Sequence, residues 1–586
     1  MLYTCFEQDS SNKQTPFKLL GTINQYNLIA NLKKYFKIYF LLEFLVNLKL
    51  LILTNQFFMI TNYILISIAA LFVIWVLKDF FQKENTIKRN FPVFGNLRFL
   101  FIALGPAIRQ YFIASNRDEL PFNRSQRNWI DSSSKKENNY EGFGTDKDLY
   151  HPGHIFVNPK MFPFKVDTDH INHENNDPYF IPCAKVIGLK HNRKSPFRPY
   201  SIVNISAMSY GSLSKNSQSA LNIGASMVGC YHNTGEGGLS PYHMKGADVM
   251  FHIGTGYFGC GKDGEDGKRY FDFDSFKTLV LDKYPGKVKA IEIKLSQGAK
   301  PGKGGVLPAK KNTKEIAAIR GVKPGVDVLS PTYHTAFSDV PEMVDFIEDL
   351  AAKSGLPVGI KSAVGDLKHW EELADIMKNE NRGPDFITID GGEGGTGAAP
   401  PSFADHVALP WVFGFSEVYN VFKDRGLSQD IAFGGSGKLG FPSEVLKAFA
   451  MGVDFINIAR EAMLSIGCIQ AQECHTGHCP TGIATQSAWL QRGLEPSIKA
   501  IRFGNYINTL RKETLQMTHA CGYEHPSQMQ MADVDISCGD NNKVITLENA
   551  YNYKKEPLHF ESMQKLFECD YLGGLGQAKN KLNKKK

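Results

Sequence analysis

Three cysteines fall within twelve residues, in the run Cys468-Ile-Gln-Ala-Gln-Glu-Cys474-His-Thr-Gly-His-Cys479, which continues as Pro480-Thr-Gly-Ile-Ala-Thr-Gln486. Thiolates are soft ligands that suit iron–sulfur clusters, zinc or copper. A disulfide between two of the three is compatible with the spacing, but it leaves one thiol over, whereas ligation accounts for all three. Three thiols rather than four favour a three-iron cluster, or a site completed by a ligand that is not a thiol.

Other residues with chemical promise sit in glycine-rich stretches. The loop Gly434-Gly435-Ser436-Gly437-Lys438 can present backbone N–H groups to a phosphate, because glycine lets the backbone approach closely and adopt unusual dihedrals. Its spacing is not that of a P-loop, and a lone glycine loop is as often structural as functional. Lys361, directly after an apolar run, could set a cation beside the N1/C2 edge of a flavin and stabilise negative charge on the reduced ring; a lysine paired with a carboxylate is the alternative. Lys294, Gln297 and Lys300 form a plausible cradle for an anionic substrate. Glu236, held between glycines in Thr234-Gly-Glu-Gly-Gly238, suits proton handling or the gripping of an amino or imino group. Loop stabilisation would account for these side chains equally well.

The elements that must carry these residues alternate from about residue 200 onward. Apolar runs at 202–207, 226–231, 289–293, 326–329, 357–360, 385–389, 430–433 and 454–458 read as strands, with amphipathic helices such as 341–352 and 442–450 between them. Near-continuous apolar strands separated by helices imply parallel pairing. Eight of them predict an α/β fold with a closed (β/α)8 TIM barrel rather than an open sheet. The chemical residues then follow the strands: Met208-Ser-Tyr-Gly-Ser212 the first, Asn233–Gly238 the second, Lys294–Lys300 the third, Ser330-Pro-Thr-Tyr-His334 the fourth, Lys361 the fifth. Asp390-Gly-Gly-Glu-Gly-Gly-Thr-Gly397 follows the sixth, Gly434–Lys438 the seventh, and Ala459-Arg460 the eighth. Barrel sites are built on that C-terminal face, with phosphate often held after strands seven and eight. An insertion over 251–289 is expected to interrupt the third unit.

Upstream, no charged residue occurs from Leu50 to Leu77, and 57–77 is almost wholly apolar. Such a length of helix can cross a hydrocarbon core of about 30 Å, and it is too long and too far from the start for a secretory signal. Residues 35–53 are also apolar but include Lys37, Glu43 and Lys49. Basic residues on both sides, Lys33, Lys34 and Lys37 before and Lys78, Lys83, Lys88 and Arg89 after, favour two crossings with both flanks, and the following domain, on the cytoplasmic side of the membrane. The expected organisation is a polar segment at 1–34, an anchor of one or two helices at 35–80, an irregular lead-in at 81–195, the barrel at 196–500 and a C-terminal extension at 501–586. The net charge of +7 comes with no zinc-finger or RNA-recognition signature, so a nucleic-acid partner is not expected. Ten cysteines, scattered apart from the cluster, do not form a secreted disulfide framework.

Several motifs now agree in order: Ala207-Met-Ser-Tyr-Gly-Ser212, Thr234-Gly-Glu-Gly-Gly238, Lys294-Leu-Ser-Gln-Gly-Ala-Lys-Pro-Gly302, Asp390-Gly-Gly-Glu-Gly-Gly-Thr-Gly397, and the cysteine run with its Cys-Pro-Thr-Gly-Ile-Ala-Thr-Gln ending. Through residues 200–495 the chain resembles the FMN-binding synthase part of bacterial and plant glutamate synthases. Asn123-Arg-Ser-Gln-Arg127 and Tyr140-Glu-Gly-Phe-Gly-Thr145 suggest its short, membrane-anchored subgroup. The resemblance implies FMN phosphate near Gly434, Gly435, Ser436, Gly437, Lys438, Ala459 and Arg460, with Lys361 by the isoalloxazine and Ala207, Met208, Ser209, Gly391 and Gly392 as further cofactor-binding positions. It implies a [3Fe-4S] cluster on Cys468, Cys474 and Cys479. The implied reaction joins ammonia to 2-oxoglutarate and reduces the resulting imine to L-glutamate, with Glu236, Lys294, Gln297 and Lys300 as the catalytic set.

The chain also departs from that pattern. Cys5 lies in Met-Leu-Tyr-Thr-Cys ahead of an apolar segment, so a glutaminase domain is not expected; nor is the family's C-terminal β-helical domain. No dinucleotide fingerprint accompanies the barrel, so electrons would come from a ferredoxin, a separate reductase or a membrane quinone. Lys303 stands where the family is commonly acidic, and Ser330–His334 replaces a more proline- and histidine-rich loop. An amine or amino-acid dehydrogenase, or an N-alkylglutamate synthase, with the same cofactors is therefore an alternative. A non-catalytic electron-transfer or scaffold protein is a third reading.

Overall fold

Eight short parallel strands, hydrogen-bonded in chain order, close on themselves into a barrel. They are β1 (Val203–Ile205), β2 (His232–Asn233), β3 (Val249–Ile253), β4 (Val288–Lys294), β5 (Val358–Ser362), β6 (Phe386–Asp390), β7 (Ala432–Ser436) and β8 (Phe455–Ile458). The computed structural model describes residues 25–166, 179–539, 543–558 and 561–583. Nearly every strand residue is buried, as both faces of a helix-wrapped parallel sheet must be. Closure sets Ile456 opposite Val203 and Ile458 opposite Ile205. Below the strands, Cys183, Ile187 and Phe197 pack with Tyr231, Met250, Phe386 and Phe455. Cys183 is thus the small buried residue its isolation suggests, and burial pushes its thiol up to about 12.

Two of the strand assignments need correction. Residues 226–228 are helical, the end of a helix over Lys215–Val228. Ser214 caps its start by accepting from Ser217 N, and Gly229 closes it in the left-handed region at φ 70°; the strand begins only at His232. The run at 326–329 is not in the barrel. Val328 and Leu329 pair antiparallel with Leu307 and Val306 in a separate two-stranded sheet, where Leu329 is 65% exposed. The strand missed was Val249–Ile253, whose Met, Phe and His residues lie between glycine-rich segments. Lys294–Lys300 therefore follows the fourth strand and Ser330–His334 the small two-stranded sheet. The insertion lies between the third and fourth strands and carries a hairpin of Gly261–Asp263 with Arg269–Phe271.

Residues 1–24, with Cys5, lie outside the described residues. The N-terminal unit, which runs to Ala114, begins its described part with α1 (Gln25–Phe81). Among the described residues this is the one helix long and apolar enough to cross a membrane, over Lys33–Phe81. The two-crossing hairpin favoured by the charge pattern is not formed. The 57 residues of α1 include no Gly or Pro to break the helix, so the chain passes straight through its polar middle. Thr54, Thr61 and Ser67 donate their hydroxyls back to carbonyls of the preceding turn, which satisfies them without water. Two shorter helices follow, α2 (Thr86–Asn90) and α3 (Phe94–Ile108).

The barrel unit starts with Ser115 and includes α4 (Arg124–Lys135), closed at its start by a reciprocal capping box of Asn123 and Gln126. The Pro496–Ala520 helix packs along Lys215–Val228. Gly224 permits the approach, since a Cβ there would meet Ala500 O at 2.7 Å. At the opposite side, Arg193 grips Glu348 (2.6 and 2.9 Å) and Asp385 (3.1 and 3.0 Å) from the segment before β1. Arg193→Ala removes the cation between both carboxylates, leaving Asp385 with His191 and the Val358 amide and Glu348 with the Gly383 amide, and the full chain is expected to lose about 3 kcal/mol of stability, read as a lower thermal unfolding midpoint. Lys190→Ala, which breaks only an exposed pair with Asp430, should cost about 0–1 kcal/mol.

Candidate active site at the C-terminal ends of the barrel strands

β2 ends in a loop whose glycines bring Glu236 against the end of β4. Gly235 takes φ +64°, and a Cβ there would meet Ser209 N at 2.5 Å. Lys294 Nζ donates to Glu236 Oε2 at 2.9 Å, and both side chains are largely shielded. Burial alone would raise the Glu236 carboxyl, but the Lys294 ammonium, with His252 and Lys300 beyond it, takes it down to about 2. His334 lies next to the pair. Its Nε2 donates to Lys294 O (2.8 Å) and its Nδ1 accepts from the Tyr257 hydroxyl (2.9 Å). Burial lowers His334 to about 4, so the ring is neutral and fixed in one tautomer.

Inside the barrel, Asn233 and His252 both donate to Glu292 Oε2, at 2.7 and 2.8 Å. Burial works to raise Glu292, yet the His252 contact holds it low, while burial also lowers His252. The pair is thus neutral imidazole and carboxylate. Lys361, at the end of β5, lies 3.4 Å from Asp390 of β6 and reaches Ser206 at 3.5 Å. Gln297 donates to Gly395 O (2.7 Å) and Lys300 to Ala398 O (3.1 Å), which ties the β4 loop to the β6 loop. The amides of Gly391 and Gly392 are spent on Ser436 O and Leu409 O. Ala207 and Met208 lead out of β1, where Met208 O accepts from Gln218. Ser209 shares a hydrogen bond with Ser212 and accepts from buried Arg320.

After β7 and β8 two cations converge. Gly434 and Gly435 lie in the strand with Ser436, Gly437 turns at φ +149°, and Lys438 adopts φ +58°. The Lys438 ammonium and the Arg460 guanidinium, next to Ala459, lie 5.2 and 5.1 Å from the Phe122 ring centre. Among the described residues neither has a carboxylate salt-bridge partner. Burial, then the Arg460 charge, lowers Lys438. Arg460 donates to Glu393 O, and a glycine turn flanked by two cations that lack a direct carboxylate partner suits an anion.

The same Phe122 reaches the cysteine loop. Its N–H donates to Gln470 Oε1 (3.1 Å), and Gln470 Nε2 donates to Phe122 O (3.0 Å). Cys468, Cys474 and Cys479 are free thiols, each within the electrostatic field of the others. Gln470 and Gln472 both take left-handed backbone (φ 56° and 58°), at about 1–2 kcal/mol each. Lys311 Nζ ties the loop by donating to Cys474 O (2.7 Å) and Ala484 O (3.0 Å). Among the described residues no three His, Cys, Asp or Glu side chains are grouped to hold a single metal ion.

Sequence reasoning missed Phe122, Lys311, Arg320, His252 and Glu292. Only Glu292 left a readable signal, as an acidic residue in the middle of an apolar strand.

A closed parallel barrel with paired charges gathered at its C-terminal strand ends is the architecture of an α/β-barrel enzyme. The family profile for the conserved region in glutamate synthase matches residues 149–524. The glutamate synthase large subunit-like protein YerD of Bacillus subtilis is 38% identical over 517 residues, 83% of this chain and 96% of its own length. The archaeal-type glutamate synthase (NADPH) of Thermotoga maritima is 35% identical over 325 residues, 55% of this chain and 59% of its own. A solved flavocytochrome b2 mutant overlaps with a TM-score of 0.38 at 14% identity, covering 79% of this chain and 93% of that one, too loosely to carry function. The chain belongs to the glutamate synthase family and shares its broad class, that of oxidoreductases.

Burial lowers His232, His243, His252, His334 and His525 from the ordinary 6.5, to about 4 for His243 and His334 and about 3 for His525. The unfolded chain therefore binds more protons than the folded one below 6.5, and stability falls as pH drops through that window. The thermal midpoint is expected to be flat in this respect above pH 6.5 and to decline steeply toward pH 4, followed by circular dichroism.

Proposed function

We propose that this chain is an FMN and iron–sulfur oxidoreductase acting at a CH–NH2/imine centre, nominally converting 2-oxoglutarate and ammonia to L-glutamate. The observation that carries this reading is the Glu236–Lys294 pair (2.9 Å) on the barrel rim that also bears Lys361 and the cation corner. The residues present fit FMN. Lys438 and Arg460 carry the positive charge a phosphate needs, the glycine turn at Gly437 admits it closely, and Lys361 offers a buried cation to a ring edge. Cys468, Cys474 and Cys479 are free thiols on one loop, the soft donor set that a [3Fe-4S] cluster would take. Bound there, FMN would supply two-electron reduction of an imine carbon, with the cluster passing single electrons to it.

The chain's own part is positioning and charge. Glu236, ionised throughout the physiological range, orients an amino or imino nitrogen. Lys294, bonded to Glu236 through Nζ, faces the negative end of a keto acid. Neutral His334 fixes the Lys294 backbone, and Gln297 and Lys300 keep the β4 and β6 loops in register over the substrate. The basic residues that follow the apolar span, Lys78, Lys83, Lys88 and Arg89, support its C-terminal end, and with it the barrel, lying on the cytoplasmic side of a membrane. The electron partner would be a ferredoxin, a separate reductase or a quinone. An amine dehydrogenase or N-alkylglutamate synthase is the second reading. It is favoured by exposed Lys303, which lies 5.5 Å from the Phe403 ring and adds a cation beside the substrate loops.

Anaerobic stopped-flow absorbance tests the proposal. Photoreduced, cofactor-loaded enzyme mixed with 2-oxoglutarate and ammonium should reoxidise rapidly and yield L-glutamate; an enzyme that stays reduced would sink that substrate assignment. In the same assay Glu236→Gln should react at least about 10²-fold more slowly with unchanged flavin content. Phe122→Ala should instead lower the flavin retained on purification, because Lys438 and Arg460 lose the ring that holds them together.

A further inference from the structure

The segment after α1 is nearly as apolar as α1 itself. From Phe94 to Ile113 the only charged residues are Arg98 and Arg109, and the large side chains lie open: Phe94 is 74% exposed, Phe101 63%, Ile102 58% and Phe112 85%. Only Gly95 of α3 is buried. The segment is nevertheless firmly placed within its unit. Asp79, near the end of α1, is buried and accepts from Val93 N (2.9 Å) and Asn96 Nδ2 (2.6 Å). A Cβ on Gly95 would meet Ile87 O at 2.8 Å, so the start of α3 is pressed against α2.

Charge, more than length, decides how such a helix could meet lipid. The fifteen residues of α3 run on into a π-helical turn over Arg109–Ile113, roughly 30 Å in all, and a crossing would carry both Arg98 and Arg109 into the hydrocarbon, where an arginine is costly. Arg98 and Arg109 are eleven positions apart, close to three helical turns, and so share one face. The segment between α1 and α3, including α2, carries Lys83, Lys88 and Arg89 against Glu84, and Lys88 lies over the Phe99 ring at 4.8 Å. Arg98 and Arg109 on one side of the helix, with Lys83, Lys88 and Arg89 just before it, place basic groups where anionic headgroups attract them.

We propose that Phe94–Ile113 is a second membrane element, lying in the interface of an anionic leaflet. Its apolar sides enter the acyl boundary, and Arg98 and Arg109 remain among the headgroups. The inference rests on α1 crossing the same membrane and is independent of the substrate.

The full chain, reconstituted into phosphatidylcholine–phosphatidylglycerol vesicles with bromine near either the headgroup end or the methyl end of the acyl chains, provides the test. Emission from Phe101→Trp is read after subtraction of the parent, whose Trp75 in α1 reports the span. Stronger loss of emission with the shallow bromine than with the deep one is expected at position 101. Stronger loss with the deep bromine, or no loss there while the parent is quenched, overturns the proposal. Absence of quenching in the parent as well overturns the span and the interfacial helix together. Leu104→Trp, read the same way, guards against a local misfold at position 101, and an emission loss confined to high protein density would mark a second copy as the true cover and overturn the lipid assignment.

Discussion

The pairing of the last barrel strand with the first is the constraint on which the remaining structure depends. With Ile456 facing Val203 and Ile458 facing Ile205, the sheet has no edge, and all eight strand ends open on one rim. Side chains far apart in sequence are then brought within bonding distance: Glu236 and Lys294 are 58 residues apart and 2.9 Å across. Short strands suffice because the helices outside and the polar layer inside bury both faces. His232–Asn233, only two residues long, keeps its place through the pairs it makes with Ile205 and Val249.

That closed interior also sets the electrostatics. A carboxylate such as Glu292 is tolerated deep in the barrel because Asn233 and His252 donate to it and Lys361 stands above it. Removing a partner would leave a buried charge, which costs more than the pair contributes. On the rim Glu236 is paired with Lys294 and Lys361 with Asp390, whereas at the corner after β7 and β8 two cations, Lys438 and Arg460, stand against one ring.

The barrel was legible because parallel strands advertise themselves as apolar runs, and six of the eight assignments fall on barrel strands. The two errors have separate causes. At 226–231 the run spans a helix end and the turn at Gly229 that leads to the strand, and its apolar residues conceal the change of period. At 326–329 a short strand of a separate two-stranded sheet has the same few apolar residues as a buried strand, and burial is not written in so short a run. α1 was visible as an apolar span, but its continuity was not, since charge placement suggested a turn that the residues themselves do not make. The motif residues were legible one by one. Their tethers were not, because Phe122, Lys311 and Arg320 act through contacts across long stretches of chain and follow no local pattern.

Phe122 has a consequence for the modularity of the chain. Its ring lies beneath Lys438 and Arg460, and its backbone is bonded to Gln470 inside the cysteine loop. The stretch that leads into the barrel is thus built into the rim it precedes. Arg127, which donates to Phe122 O and pairs with Glu119, fastens it from behind. A graft of this barrel onto a different N-terminal segment would have to keep everything from Glu119 onward, because that stretch is a wall of the rim and not a tether to it.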